Sequence, residues 1–126
     1  MILAIVGTRT FVAPDGEARA REIIRAELAE RKPELVISGG ASGVDSWAAE
    51  EALLLELAVE EITPLHARWE PNGYKARNML IAERCDELIS IRCGQATSYG
   101  SGWTADRAAE LGRPVTRYTL DPVTAV

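Results

Sequence analysis

At 126 residues, with 47% apolar and 26% charged side chains, the chain has room for one globular domain and does not have the composition of a disordered one. Twelve Arg and two Lys against 19 acidic residues leave a formal charge of -5, so no broad positive track is available and the chain is not expected to bind nucleic acid on its own. The opening MILAIVGTRT has neither a basic leader nor a cleavage signal, and no apolar run approaches the roughly 20 residues that cross a bilayer. The expected setting is therefore cytoplasmic, without membrane contact.

Ile2 to Val6 is a nearly continuous apolar run stopped by Gly7, the pattern of a strand covered on both faces. Glu17 to Glu30 places Ala20, Ile23, Ile24 and Leu28 at helical spacing, with Asp15 positioned to cap its start and Pro33 to stop it. Leu35 to Ser38 is the second strand, closed by Gly39-Gly40. A helix then opens at Ser42, with Asp45 completing a short capping box and Val44, Ala48, Ala52, Leu55 and Ala58 along one side. Val59 to Pro64 is a weaker third strand. His66 to Gly73 reads as a loop, and Asn72 caps a helix running to about Arg84. Leu88 to Ile91 is the fourth strand, and Gly94 to Gly102 a glycine-bearing loop. Thr104 to Leu111 is helical and ends at Gly112. Pro114-Val115 opens a last strand through about Leu120. Strands alternating with helices predict right-handed crossovers and a mostly parallel five-stranded sheet in a three-layer α/β sandwich, one domain over 1–126.

Ligands of such sheets sit beyond the carboxyl ends of the strands, near the reversal in strand order. Those ends carry Gly7-Thr8-Arg9-Thr10, Ser38-Gly39-Gly40-Ala41-Ser42-Gly43 and the loop reaching Thr104. Glycines admit close backbone approach, helix starts offer amide hydrogens to an anion, and Arg9 can fork onto phosphate or carboxylate. Neither GxGxxG nor GxxxxGK[ST] occurs. Asp45 either serves the first helical turn, or binds a ribose hydroxyl or orients Arg9 across the cleft. Trp47 is read as packing. In Trp69 to Asn78, Trp69 and Tyr74 offer flat contact to a base, with Lys75, Arg77 and Asn78 as polar complements. In the last loop, Gly100, Ser101, Gly102 and Thr104 are candidates for holding one phosphate. His66 is the only histidine and is read as a loop side chain. With Cys85 and Cys93 it makes neither a disulfide framework nor a zinc set, so no metal and no cofactor are expected.

These motifs, in this order, resemble the SLOG superfamily, which includes the LOG enzymes, DprA and small YspA-like proteins, the last being the nearest in pattern. The resemblance rests on Gly7-Thr8-Arg9, on Ser38 through Asp45, on Trp69 through Met79, and on Gly100 through Asp106, and covers nearly the whole chain. It implies a Rossmann-like sheet that binds a nucleotide or nucleotide-derived small molecule at the strand ends. The implied binding residues are Gly7, Thr8, Arg9, Ser38, Gly39, Gly40, Gly43, Asp45, Trp69, Tyr74, Arg77, Asn78, Gly100, Ser101, Gly102 and Thr104. LOG-type enzymes cleave the N-glycosidic bond of a nucleoside monophosphate, and on that likeness Arg77 and Asp106 are the catalytic candidates. Asp106 is shorter than the glutamate of those enzymes, and Trp103 interrupts their PGG-x-GT loop. Nucleotide binding is the leading expectation. Phosphoribohydrolase chemistry and a protein-interaction or DNA-processing accessory role are the alternatives. The likeness is compatible with a homodimer or larger homo-oligomer.

Overall fold

The computed structural model describes residues 1–9, 11, 14–70, 73–93 and 100–120. The N-terminal apolar run forms β1 (Ile2–Gly7), and its side chains alternate between two separate cores. Leu3 and Ile5 pack with α1 (Gly16–Arg31) and α2 (Val44–Leu54), through Ile24, Leu28, Val44, Ala48 and Ala52. Ala4 and Val6 face the opposite side, where α3 (Tyr74–Arg84) and α4 (Gly100–Glu110) contribute Ile81, Ala82, Ala105 and Ala108. A strand buried on both faces needs apolar residues at every position, which is why its sequence reads as a run rather than an alternation. Truncating a fully buried side chain such as Leu28 to alanine costs about 2–5 kcal/mol.

The remaining strands are β2 (Leu35–Ser38), β3 (Ala58–Glu61), β4 (Glu87–Cys93) and β5 (Val115–Leu120). They form a five-stranded sheet in the order β3-β2-β1-β4-β5, and every pairing is parallel. Leu3 stands beside Val36, and Ile5 beside Ile89. The result is the three-layer α/β sandwich expected from the alternating pattern. The order reverses at β1: the chain steps outward through β2 and β3, then crosses back to β4 on the other side.

Several boundaries differ from the sequence reading. Ser42 and Asp45 do not make a capping box: α2 starts at Val44 behind Gly43, and the Asp45 carboxylate accepts from the Ala41 amide instead. The apolar repeat does not run on through Leu55 and Ala58. Glu56 adopts φ 60, the Leu57 amide bonds back to the Ala52 carbonyl and the Glu56 amide to Leu53, a Schellman ending that leaves Leu55 half exposed and Ala58 in β3. Asp15 precedes α1 without a side-chain capping bond, and Lys32 closes that helix in the left-handed conformation just before Pro33. The helix expected from Thr104 begins four residues earlier, at Gly100, so Gly100 to Thr104 is helical and not a loop. Asn72, read as a cap, lies outside the described residues; Gly73 precedes α3.

Candidate functional site

The carboxyl end of β1, at the reversal in strand order, is tied to its neighbours through Thr8. Its amide donates to the Ile91 carbonyl (3.1 Å), its carbonyl accepts from the Val44 amide (3.2 Å), and its buried Oγ1 accepts from the Cys93 amide (3.0 Å). Thr8 thus joins β1, β4 and the first turn of α2. Gly43 makes this joint close: at φ 78, a Cβ there would lie 2.3 Å from the Arg9 carbonyl oxygen and 2.4 Å from that of Thr8. Only glycine meets both demands. Ser38 does a similar job at the end of β2, its hydroxyl donating to the Asp45 carbonyl (2.8 Å) and accepting from the Gly40 amide (3.3 Å). Thr8, Ser38 and Gly43 are therefore occupied in holding the strand ends, and Gly7 lies so close to β4 that a Cβ there would stand 2.0 Å from the Ile91 carbonyl oxygen, while Gly40 turns toward Glu61 at the end of β3 and Thr63 just after it.

On this frame four side chains converge. Arg9 is exposed, with its guanidinium carbon 5.0 Å from the centre of the Tyr74 ring; that of Arg77 lies 5.2 Å from the same ring. Two guanidiniums on one tyrosine form a cation–π cluster. Arg77 is only 7% exposed, and its Nη1 donates to the Gly39 carbonyl while its Nε donates to Asn78 Oδ1 (2.6 Å). Asp45, 6% exposed, faces Arg77 across Gly39: a Cβ on Gly39 would lie 2.6 Å from Asp45 Oδ2 and 2.8 Å from Arg77 Nη1. A side chain at position 39 would wedge the two charges apart. Burial pushes the Asp45 carboxyl up to about 6, against the pull of Arg77, the Ala41 amide, Arg9 and the Gly7 amide. Burial likewise lowers the Arg77 guanidinium, with Asp45 opposing and Arg9 reinforcing. Asp45 Oδ1 is buried and makes no hydrogen bond to any described residue. The chemistry assembled here is a buried acceptor, an exposed guanidinium and an aromatic face.

The remaining candidates go elsewhere. Trp69, 49% exposed, meets Trp103 edge to face at 5.3 Å, and Arg107 lies over Trp103 at 5.3 Å. Gly102 and Thr104 belong to the first turns of α4, where Thr104 is buried. Gly100 and Ser101 open that helix, and Thr10 and the loop 94–99 lie outside the described residues. Asp106 is turned outward: its side chain is 68% exposed and accepts from Arg117 on β5 (2.8 Å). Arg77 reaches the end of β2 and Asp106 reaches Arg117 on β5, with β1 and β4 between those two strands, so the two catalytic candidates are engaged at different strands. The sequence reading missed the Ala41 amide as a partner of Asp45, as well as the Trp69–Trp103–Arg107 stack. The first is a backbone donor with no side-chain signature, and the second joins residues from separate elements. Among the described residues no three His, Cys, Asp or Glu side chains are placed to hold a metal ion.

Residues 1–63, which run from β1 through β3 and carry Arg9 and Asp45, match the family model of DNA recombination-mediator protein A. The chain belongs to that family. Its fold is shared with DNA processing protein A (DprA) from Streptococcus pneumoniae, at 23% identity and a TM-score of 0.67, over 91% of this chain and 49% of the other. This member thus spans about half the length of the pneumococcal protein. The structural-genomics target TM1055 is similar at 22% identity and TM-score 0.69, covering 90% of this chain and 71% of its own. The Moco carrier protein from Chlamydomonas reinhardtii is similar at 14% identity and TM-score 0.69, covering 94% and 76%. These likenesses show a shared Rossmann-like fold. None of the curated proteins matches the sequence.

Membership of a DNA recombination-mediator family overturns the expectation that this chain does not bind nucleic acid on its own. That expectation came from a net charge of -5, which sums over the whole chain. In the fold, Glu17, Glu27, Glu50, Glu51, Glu60, Glu87 and Glu110 are each paired with an arginine, so these charges are spent on one another and the net total says little about any one place on the surface. Arg9 has no carboxylate at ion-pair distance among the described residues. Local charge, not the total, is what a phosphate meets. As for membranes, no helix among the described residues is long and apolar enough to cross one.

Proposed function

We propose that this chain is a DNA-processing domain that holds a nucleotide unit of single-stranded DNA at the carboxyl ends of β1 and β2. Arg9 would swing off the Tyr74 ring to meet the phosphate and leave that face to the base, with Arg77 and Asp45 fixing the geometry beneath them. The observation that carries this reading is the exposed Arg9 guanidinium held over Tyr74 without a carboxylate partner among the described residues. A charged donor beside an aromatic face is the pairing by which single strands are held without reading their sequence. Family membership supports DNA as the source of that nucleotide unit. The test is fluorescence anisotropy with a labelled oligothymidylate lacking a terminal phosphate, across a salt series. Binding should weaken as salt rises, and Arg9→Ala should lower affinity about tenfold or more, as loss of a charge-assisted contact does. Equal affinity in the two proteins would remove Arg9 from the site.

A second reading, a free ribonucleotide as ligand, is favoured by Asp45 alone. Its buried Oδ1 is an acceptor that a sugar hydroxyl can satisfy. Ribonucleotides would then raise the thermal midpoint more than the matching deoxyribonucleotides, through preferential binding to the folded state. N-glycosidic cleavage gains no such support, because Arg77 is committed to Gly39 and Asn78 while Asp106 pairs with Arg117.

A further inference from the structure

We infer that Trp69 is a second stacking position, taking the nucleobase next to the one on Tyr74. This rests on the proposed single-stranded DNA reading and extends it from one nucleotide to a strand. Trp69 is among the largest apolar side chains and keeps 49% of its surface in solvent, while backbone hydrogen bonds tie the residues around it to the start of α3. The Tyr74 amide donates to the Arg68 carbonyl (2.8 Å), the Gly73 amide to Glu70 (3.0 Å), and the Glu70 amide to Arg68 (3.1 Å). The Arg68 carbonyl is covalently joined to the Trp69 nitrogen, so one hydrogen bond separates the Trp69 backbone from Tyr74. The indole is supported from the side by Trp103, itself covered by Arg107. The ring is therefore buttressed on one side before any ligand arrives, which lowers the entropy cost of ordering it on binding.

The surroundings select a base rather than an apolar peptide. Arg68 and Lys75 flank the aromatic pair in sequence, against the single Glu70 between them, and Arg107, itself paired with Glu110, sits on Trp103. Stacking on aromatic side chains is tolerant of base identity, because every base has a π-face, and alternating rings and cations suit a strand whose phosphates alternate with its bases. Trp103 takes the role of a buttress, holding Trp69 in place.

The experiment compares an oligothymidylate with thymidine monophosphate, using the whole chain and its Trp69→Ala, Trp69→Phe and Arg9→Ala variants. Trp69→Ala should weaken the oligonucleotide about tenfold and leave the mononucleotide unchanged, since only the strand reaches the second ring. Trp69→Phe should restore most of the affinity while removing the tryptophan fluorescence quenched by the oligonucleotide. Because Trp69 lies outside both cores, its replacement should leave the thermal midpoint near that of the original protein. Unchanged oligonucleotide affinity in Trp69→Ala, an equal loss for both ligands, or full quenching in Trp69→Phe would each overturn the assignment. If the original chain binds no oligonucleotide, the DNA reading fails and this inference falls with it. If Arg9→Ala weakens both ligands while Trp69→Ala weakens neither, only the second position is lost.

Discussion

Arginine meets two kinds of neighbour in this molecule. On the side of α1 and α2, Arg21 reaches Glu17, Glu50 and Glu51, Arg25 reaches Glu51, and Arg31 joins Glu27 to Glu87. At the strand ends, Arg9 and Arg77 share a tyrosine ring, and Arg77 donates to a carbonyl and an amide oxygen rather than to a carboxylate. The carboxylates on the two sides respond accordingly. The bonds from Arg25 and Arg21 hold Glu51 below its ordinary range despite its burial, whereas burial outweighs Arg77 at Asp45 and raises it to about 6. One side spends its charges on holding helices together; the other buries Arg77 and Asp45 and leaves Arg9 exposed to whatever arrives. An acidic total therefore coexists with a local arginine site.

The largest effect expected is on the frame that separates the two sides. Gly43→Ala forces a Cβ against the Thr8 and Arg9 carbonyls at a positive φ, and neither backbone group can swing away. A loss of roughly 3 kcal/mol or more in urea unfolding is expected, and a smaller loss would mean the joint is softer than it looks. Next comes Glu51→Gln, which leaves the Arg21 and Arg25 bonds weakened around a buried group and should cost about 2 kcal/mol with no change in DNA affinity. Acid should mimic it. Glu51 is depressed, so its contribution is present above the ordinary carboxylate range and is lost as pH falls through its lowered value. Arg9→Ala should do the reverse, changing stability by less than about 0.5 kcal/mol while affinity falls. If both substitutions altered stability and affinity alike, the division between the two sides would be broken.

The smallest effect is the pH profile of binding. Asp45 is raised, so the cost of keeping it charged is fully present above about pH 6 and is relieved as pH falls toward 3.8, the opposite sign to Glu51. Once Asp45 is neutral, Arg9 and Arg77 face the ligand with one less compensating charge. Affinity for an oligonucleotide without a terminal phosphate should then rise a few-fold below pH 6, as seen in anisotropy titrations. Asp45→Asn should flatten that inflection. An inflection that survives the substitution belongs to another group.

Sequence legibility followed where each structural cause resides. Gly112 and Glu56 end their helices by the same Schellman arrangement, with the amides of Arg113 and Leu57 bonding back to Ala108 and Ala52. The first ending was legible, because glycine advertises a left-handed residue. The second was not, because a glutamate was placed there by its surroundings. The β1 run and its stop at Gly7 were equally plain, since burial on both faces leaves no polar position to misread. Arg9 was marked by its place after a strand, but its tyrosine partner lies 65 residues on and is supplied by another helix. Local spacing leaves Asp45 open between a helix-start role and a ligand contact, and only the fold shows its carboxylate turned inward to Ala41 and opposite Arg77. Gly100 to Thr104 looked like a loop because glycine weakens a helix, and packing of Thr104 and Ala105 overrode that preference.

The two cysteines mark the two ends of β4: Cys85 just before it starts and Cys93 as its last residue, both free and both buried. Burial pushes the Cys85 thiol up to about 11, so little thiolate is present there near neutrality. Cys93 is anchored through its amide to Thr8, at the strand-end site, whereas Cys85 lies at the far end of the same strand. An alkylating reagent must wait for each end to open, so its two labelling rates time local fluctuations at opposite poles of the sheet. A ligand seated at the strand ends should slow the clock at Cys93 and leave the one at Cys85 running as before.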